Sequence, residues 1–226
     1  MPALELAGIG VNWACVGGVL PSVEKLELFA DMATEIERAL GLPLPVVSGG
    51  NTANLDLLLQ GNMPERVNQL RIGEAILLGT NVPPNNPLPG LLQDTFEVIA
   101  EVIEVRTKPS LPDGVVYQDA FGRHPHWVDR GLRRRAIVAV GEQDLRVSGL
   151  SPKRPGVTIV GASSDHMVLD VSDADPPVYV GEELAFRPAY SAVATAMVNP
   201  DLIRTFADHP FGHYRRILDP STVATP

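Results

Sequence analysis

Short apolar runs alternate with a helical pattern along the first 80 residues. The runs cover residues 6–15, 45–48 and 70–79, and each is typical of a buried strand. Between the first two runs, residues 22–40 carry apolar side chains at three- and four-residue steps, which predicts a helix. The apolar positions are Leu26, Phe29, Ala33, Ile36 and Leu40. This alternation is typical of a parallel α/β unit, so residues 5–79 are predicted to supply three strands and their connecting helices.

Residues with known capping preferences mark where these helices begin and end. Ser22 is a typical N-cap for the first helix, and Gly41 is a typical stop. A second, shorter helix is predicted to follow Asn51 or Thr52 and to end at Gly61.

The pattern changes at residues 80–90, where four prolines and three asparagines favour a linker over a regular element. Beyond it, β-rich segments separated by Pro and Gly predict an antiparallel β domain. These segments lie at 94–106, 115–119, 135–140, 157–161, 166–171 and 183–187. The predicted division is 1–80 for the α/β unit, 81–93 for the linker, 94–206 for the β domain and 207–226 for a tail.

Charge and cysteine content restrict the class of protein. The net charge of −9 argues against nucleic acid as a partner, because phosphates would be repelled. A local exception is the arginine-rich run at 130–135, which is either a solvated turn or strand edge, or a contact to a carboxylate or a partner. Cys15 is the only cysteine, and neither a signal peptide nor an apolar run of about 18 residues is visible. We therefore predict a cytoplasmic protein with no membrane partner.

Polar side chains follow the predicted strands. Asn12 and Ser48 lie near the ends of the first two, and Arg71 stands at the head of the third. An insulated apolar strand has no structural need for an arginine, so Arg71 is predicted to face a ligand; alternatively it pairs with Glu74 or Asp94. In parallel barrels, polar residues at the carboxyl ends of strands usually form a site.

Four segments resemble the C-terminal portion of the fold-type III pyridoxal-phosphate enzymes, the alanine racemase superfamily. They are residues 8–15, 48–51, 70–79 and 161–166, and the likeness is strongest to the ornithine/alanine racemase-like branch. The resemblance implies an α/β plus β fold class. Residues 1–80 would be the last strands and helices of a cofactor-binding (β/α)8 barrel, followed by an antiparallel β domain.

The resemblance also implies which residues hold pyridoxal 5′-phosphate. Arg71 matches the family arginine that faces the pyridine nitrogen, and Asn12 and Ser48 match the polar positions behind the ring. Other branches carry histidines at the latter two positions. The positions that match phosphate contacts are Asn51, Thr52, Gly73 and Glu74.

The second acid/base of the family is a tyrosine on a turn of the partner subunit's β domain. The equivalent stretch here places Glu142 at that position, where the alternative is an ordinary exposed turn glutamate. Asp165 and His166 are further candidates between two apolar strands, or else a hydrogen-bonded pair that satisfies a turn. Tyr117 and Asp119 are also possible proton donors.

One part of the family pattern has no counterpart in this sequence. The lysine that bonds covalently to the cofactor belongs to the first barrel strand, and none of Lys25, Lys108 and Lys153 has that setting. The expectation is therefore the C-terminal portion of a racemase, inactive as this chain alone. The remaining barrel strands would come from the same gene or from another chain.

The resemblance implies an amino-acid racemase, an isomerase that acts as a homodimer on ornithine, alanine or a similar amino acid. One alternative is a non-catalytic cofactor-binding or assembly module of the same fold. Another is aldol cleavage, which would require a metal site. The sequence predicts none, because His124 and His126 have no ligand partners at suitable spacing.

Overall fold

A computed structural model describes residues 4–82 and 87–206. Its first part is built on two parallel strands, whose register pairs Gly8 with Val46 and Gly10 with Ser48. The predicted strand–helix–strand alternation is confirmed, with shorter strands than the apolar runs suggested. The elements are β1 (Gly8–Gly10), α1 (Val23–Leu40) and β2 (Val46–Ser48).

Helix α1 has the ends that its sequence predicts. The Ser22 hydroxyl accepts a hydrogen bond from the Lys25 amide at 3.3 Å, and Gly41 closes the helix in the left-handed conformation at φ 63°. Leu26 and Ala33 are fully buried and pack, with Phe29, against β2 and its neighbours. The apolar stripe therefore fixes α1 on the small parallel sheet.

A short helical segment follows β2, as predicted. It consists of a 3₁₀ helix, Thr52–Asn54, which continues into α2 (Leu55–Leu59). Asn51 is the N-cap, because its side-chain oxygen accepts from the Ala53 amide at 3.0 Å.

The predicted third strand at residues 70–79 is wrong. Only a single parallel bridge, from Ser48 to Gln69, adds to the sheet, and α3 (Glu74–Leu78) occupies most of the run. Ala75 and Leu78 are buried at a three-residue spacing while the two residues between them are exposed, which is a helical pattern. The run is too short for hydrophobicity alone to distinguish a strand from a helix.

The second part is a six-stranded antiparallel sheet with the order β5-β8-β3-β4-β7-β6. Its central strand β3 pairs with β8 through its first residues and with β4 through the rest. The strands are β3 (Val98–Pro109), β4 (Leu132–Val138), β5 (Leu150–Pro152), β6 (Thr158–Ala162), β7 (Met167–Asp170) and β8 (Glu183–Pro188). The core consists of the inward side chains of these strands and of α4 (Tyr190–Ala196), and includes Val102, Val138, Leu169 and Phe186.

Three details differ from the sequence prediction. Residues 115–119 are not a strand, and belong to a long loop at 110–131. β5 and α4 were not predicted. The short β5 has only three residues, too few for an alternating pattern to be recognised.

The arginine-rich run enters β4, where it makes contacts within the chain. Arg133 binds Asp170 at 2.9 Å and also Asp173, and Arg134 donates to the Val178 carbonyl at 2.7 Å while its guanidinium lies 5.5 Å from the Tyr179 ring.

The predicted tail, 207–226, and residues 83–86 of the predicted linker lie outside the described residues. Among the residues the structure does describe, no helix is both long and apolar enough to cross a membrane.

Candidate functional site

The guanidinium of Arg71 lies across the carboxyl ends of β1 and β2. Nη2 donates to the Asn12 side-chain oxygen at 2.6 Å and to the Val11 carbonyl at 2.9 Å, and Nη1 donates to the Ser48 hydroxyl. The Arg71 amide donates to the Gly50 carbonyl at 2.7 Å, which fixes the backbone as well. The structure thus brings together three residues that the sequence singled out.

Every acceptor of the Arg71 guanidinium is a neutral oxygen. Within residues 4–82 and 87–206, no carboxylate lies within 4.0 Å of it, so the alternative ion pair with Glu74 or Asp94 is wrong. An arginine side chain remains charged at all physiological pH. The site therefore presents a fixed positive charge that no carboxylate of the described residues neutralises.

Glycines leave the space that this cluster occupies. A Cβ on Gly10 would lie 3.3 Å from Arg71 Nη1 and 3.4 Å from the Ser48 Cβ. Gly50 has φ 126°, and a Cβ there would lie 2.8 Å from the Asn54 amide nitrogen. Side chains at these two positions would displace the polar groups at the strand ends.

The turn after β2 is held by amide side chains. Asn51 uses both ends of its amide, since Nδ2 donates to the Trp13 carbonyl at 2.8 Å while Oδ1 caps the 3₁₀ helix. Thr52 follows it and is 2% exposed. Asn51 therefore joins the end of β1 to the turn and is not free to bind a ligand with its side chain.

Two buried polar atoms near this turn were missed by the sequence reasoning. Trp13 Nε1 and Asn54 Oδ1 have no hydrogen-bond partner within the described part of the chain. Both residues flank Gly50. The only sequence signal was a tryptophan and a second asparagine close to the glycine turn.

Gly73 and Glu74 do not lie in a strand, as was predicted, but at the start of α3, where Gly73 is the N-cap. Amides in the first turn of a helix have no acceptor within it. Glu74 is 8% exposed, and its carboxyl accepts from the Thr80 hydroxyl at 3.2 Å. Burial raises the pKa of Glu74, and the Thr80 hydrogen bond opposes this only in part.

Glu142 lies on a turn of the β domain, and its carboxylate is not an exposed one. Oε1 forms an ion pair with Arg123 Nη1 at 2.9 Å, Oε2 accepts from the Val147 amide at 3.4 Å, and the side chain is only 15% exposed. The reading of Glu142 as an ordinary exposed glutamate is therefore wrong.

Asp165 and His166 lie on the adjoining turn, because the Glu142 amide donates to the Ser163 carbonyl at 2.9 Å. They do not form a hydrogen-bonded pair with each other. Asp165 accepts from the Ser164 hydroxyl at 2.6 Å, and the backbone of His166 is bonded to Ser163. Both side chains are exposed and accessible to a ligand.

Two clusters result, one around Arg71 at the strand ends and one around Glu142 in the β domain. Within the described ranges, no hydrogen bond or ion pair joins them. The described residues also hold no group of three or more His, Cys, Asp or Glu side chains that could bind a metal ion.

The three lysines occupy other settings. Lys25 lies in the first turn of α1, with its ammonium 5.9 Å from the centre of the Trp13 ring. Lys108 and Lys153 form ion pairs with Glu104 and Glu97 in the β domain. None of them extends from the carboxyl end of a parallel strand.

Comparison with known proteins adds independent information. No family model matches the chain. It is 48% identical over 196 residues to a lysine racemase from Thermotoga maritima, covering 87% of this chain and 55% of that protein. It is 42% identical over 190 residues to an ornithine racemase from Acetoanaerobium sticklandii, covering 84% of this chain and 54% of that protein. The chain thus spans about half the length of the curated relatives that it matches.

Among solved structures, alanine racemase from Streptomyces coelicolor A3(2) matches with a TM-score of 0.49 at 20% identity, covering 84% of this chain and 51% of that one. D-threonine aldolase from Filomicrobium marinum matches with a TM-score of 0.49 at 20% identity, covering 74% and 39%.

The sequence identities to the two curated racemases extend over both parts of the chain. With them, the resemblance carried by the strand-end residues is confirmed. Over the part that it spans, the chain therefore matches the C-terminal portion of amino-acid racemases, the kind of protein that its strand-end residues resemble.

Proposed function

We propose that this chain forms the C-terminal part of a pyridoxal-phosphate-dependent amino-acid racemase. The observation that carries the proposal is the Arg71 guanidinium, held at the strand ends by Ser48, Asn12 and the Val11 carbonyl with no carboxylate beside it in the described residues. The identities of 48% and 42% to a lysine and an ornithine racemase support it.

The residues present fit the cofactor. The space left at Gly10 allows the guanidinium to lie against the sheet, where it would hold the pyridine nitrogen. The backbone amides of Gly73 and Glu74 would hold the phosphate, with Asn51 fixing the neighbouring turn that carries the buried Thr52.

Bound pyridoxal phosphate supplies the electron sink that makes the Cα proton of an amino acid removable. Arg71 offers the ring nitrogen a donor that does not release its proton. Because its hydrogen bonds to Ser48 and Asn12 orient the guanidinium plane, its position is fixed before any ligand arrives. With the cofactor bound, Arg71 would thereby limit how far charge is withdrawn into the ring, which would favour return of the proton to Cα over other outcomes.

We further propose that the cluster of Glu142, Asp165 and His166 supplies the proton on the opposite face, in a homodimer where this turn reaches the partner's site. Imidazole and carboxylate groups can both accept and donate protons. Asp165 and His166 are exposed, whereas Glu142 is tied to Arg123 and orients the turn. Asp165 and His166 are accordingly better placed than Glu142 to carry the proton.

The names of the relatives direct the choice of substrate. One is a lysine racemase and the other an ornithine racemase, so we propose an amino acid with an amine-bearing side chain. The open edge of β1 supports further barrel strands from additional polypeptide, since β1 pairs only with β2 among the described residues. A cytoplasmic location agrees with the single cysteine.

The test is a racemisation assay on the native protein that carries this chain, loaded with pyridoxal phosphate. L-lysine, L-ornithine and L-alanine are incubated in D₂O, and both enantiomers are separated and weighed by mass spectrometry. We expect the D-enantiomer of lysine or ornithine, with deuterium at Cα in both products. A cofactor-loaded protein that exchanges no Cα proton in any of the three would contradict the proposal.

The setting of the three lysines favours a second candidate for the 226-residue chain by itself, a cofactor-binding or assembly module without activity. Purified alone, the chain is expected to show no racemisation, and borohydride should fix no cofactor to it. If borohydride instead fixed the cofactor to Lys25, the lysine beside Trp13, this chain would hold the cofactor covalently. The assignment of the cofactor lysine to a strand outside this chain would then be wrong.

A further inference from the structure

A cavity of about 230 Å³ lies between α3 and strand β8, on the side of α3 that carries Glu74. One acidic and one basic side chain line it, Glu74 from α3 and Arg187 from β8. Its neutral polar residues are Thr80, Gln93 and Ser151, and the other four lining residues are apolar. The proposed cofactor contact of Glu74 uses only its backbone amide, and the hydrogen bonds of the Arg71 guanidinium involve none of these side chains.

Glu74 is buried without a cation beside its carboxyl. It is 8% exposed, its one side-chain partner is the Thr80 hydroxyl at 3.2 Å, and no Lys, Arg or His nitrogen of the described residues lies within 4.0 Å. Burying a carboxylate against a single neutral donor is unfavourable. Burial raises the pKa of Glu74 for the same reason, because the Thr80 hydrogen bond does not fully offset the cost of removing the carboxylate from water.

Arg187 is the complementary group. It lies opposite Ser151 in the β5–β8 pairing, is exposed, and has no carboxylate of the described residues within 4.0 Å. An arginine placed in this way can bind a carboxylate through two parallel hydrogen bonds.

We propose that this cavity binds a small α-amino acid, with the ammonium group on Glu74 and the carboxylate towards Arg187. A single zwitterion satisfies both groups at once, whereas a simple cation or anion would leave one of them uncompensated. The volume supports a ligand of this size, because cavities for drug-sized molecules occupy roughly 300–1,000 Å³. Binding would join α3 to β8, and so the α/β unit to the β domain.

The test measures binding to the native protein in its cofactor-free form by calorimetry, with L-lysine and L-alanine as probes. Two truncated probes accompany them, N-acetyl-L-alanine without the ammonium group and ethylamine without the carboxylate. The variants are Glu74→Gln and Arg187→Gln, and the matched controls are Glu35→Gln and Arg38→Gln on the exposed face of α1.

We expect saturable binding of at least one of the two amino acids, about tenfold or more weaker in each cavity variant and unchanged in both controls. N-acetyl-L-alanine should be insensitive to Glu74→Gln, and ethylamine insensitive to Arg187→Gln. Ethylamine binding as tightly as the amino acids would show a cation site only and overturn the proposal, as would an absence of saturable binding.

Arg71→Lys separates this proposal from the proposed racemase function. Amino-acid binding lost in Arg71→Lys but retained in both cavity variants would place the ligand at the strand-end site and overturn the cavity proposal alone. Binding that follows the cavity variants in a protein without racemase activity would contradict the racemase proposal and leave the cavity proposal intact.

Discussion

At the scale of single residues, an ion pair between Arg133 of β4 and the buried Asp170 of β7 joins these two strands. Asp170 is 4% exposed, and its carboxylate accepts from Arg133 Nε at 2.9 Å and from the Ser172 amide at 3.1 Å. Burial would raise the pKa of Asp170, but these hydrogen bonds outweigh it and leave the pKa below its ordinary value. The pair therefore stabilises the fold only while Asp170 is ionised.

Asp170→Asn should lower the free energy of unfolding by about 3 kcal/mol at neutral pH, because it leaves Arg133 without its buried partner. A depressed carboxyl pKa gives stability that is present above the unfolded-state pKa and is lost as pH falls through the folded-state pKa. The difference between wild type and variant should thus shrink as the pH falls below about 5 and through the folded-state pKa of Asp170. Urea unfolding at several pH values measures it.

Asp173→Asn is the matched control, since Asp173 binds the same guanidinium but is 72% exposed. Its effect should stay within about 1 kcal/mol. If both variants lost the same free energy of unfolding, the burial of Asp170 would contribute no additional stability.

Arg71→Lys tests the strand-end site, because one ammonium group cannot reach Ser48, Asn12 and the Val11 carbonyl in the same geometry. In the cofactor-loaded native protein, we expect racemase turnover to fall by about tenfold or more and pyridoxal phosphate to bind more weakly, the latter followed by cofactor fluorescence. Arg38→Lys on α1 should change neither quantity. Unchanged affinity and turnover in Arg71→Lys would make the arginine purely structural.

The sequence predicted the polar residues of the strand-end site, but not the buried polar atoms that lie near them. Arg71, Ser48 and Asn12 were predicted together, because polar residues at strand ends converge wherever strands are parallel. The unpartnered atoms of Trp13 and Asn54 could not be predicted, since burial without a partner is a property of packing and leaves no pattern in the sequence.

Among the helices and strands, long elements were predicted more accurately than short ones. Helix α1, with 18 residues and five regularly spaced apolar positions, was found with its N-cap and its stop. The run at 70–79 was assigned to a strand, but left-handed Gly79 and the N-cap Gly73 enclose five residues of helix. A run this short offers hydrophobicity without a period, so local glycine geometry decides the outcome.

The β1–β2 pair depends on an unusually close approach. A Cβ on Gly8 would lie 1.9 Å from the Val46 carbonyl oxygen, so Gly8→Ala must push the two strands apart. We expect a loss of about 2 kcal/mol or more in the stability of the α/β unit, measured by thermal unfolding and by hydrogen exchange at β2.

Gly161→Ala in β6 serves as the control, because nothing lies within 4 Å of a Cβ at that position. It should leave both measurements within about 0.5 kcal/mol of wild type. A tolerated Gly8→Ala would mean that β1 and β2 are not held in this register.

In the molecule as a whole, the two parts differ in how much core they have. The β domain buries a cluster of sixteen apolar residues, whereas the cluster between α1 and β2 has five. Local stability increases with the number of buried apolar contacts, so the β domain should be better protected against hydrogen exchange than the α/β unit.

In the 226-residue chain alone, we expect slow hydrogen exchange in β3, β4, β7 and β8 and much faster exchange in residues 5–79. A polypeptide that supplies further barrel strands should slow exchange in residues 5–79 specifically. Strong, uniform protection of residues 5–79 in a demonstrated monomer would show that these strands close on themselves, and the barrel interpretation would have to be abandoned.

The order of a parallel unit followed by an antiparallel sheet was predicted from the change of pattern near residue 80. The internal arrangement of the sheet was not, because strand order depends on contacts between distant segments. The sequence pattern predicts a strand at 115–119, but Val115, Val116 and Tyr117 are exposed in the loop between β3 and β4.

That loop begins and ends at neighbouring points. Pro109 and Leu132 face each other as the last pair of the β3–β4 ladder, and the Ser110 amide donates to the Gly131 carbonyl at 2.9 Å. The 22 residues from 110 to 131 could therefore be exchanged for a two-residue hairpin turn without moving either strand. An ion pair between Arg123 and Glu142 joins this loop to the turn that follows β4. The loop sequence can therefore vary, by natural selection or by design, without a change in the sheet. Such variation would alter the side chains that lie beside Glu142.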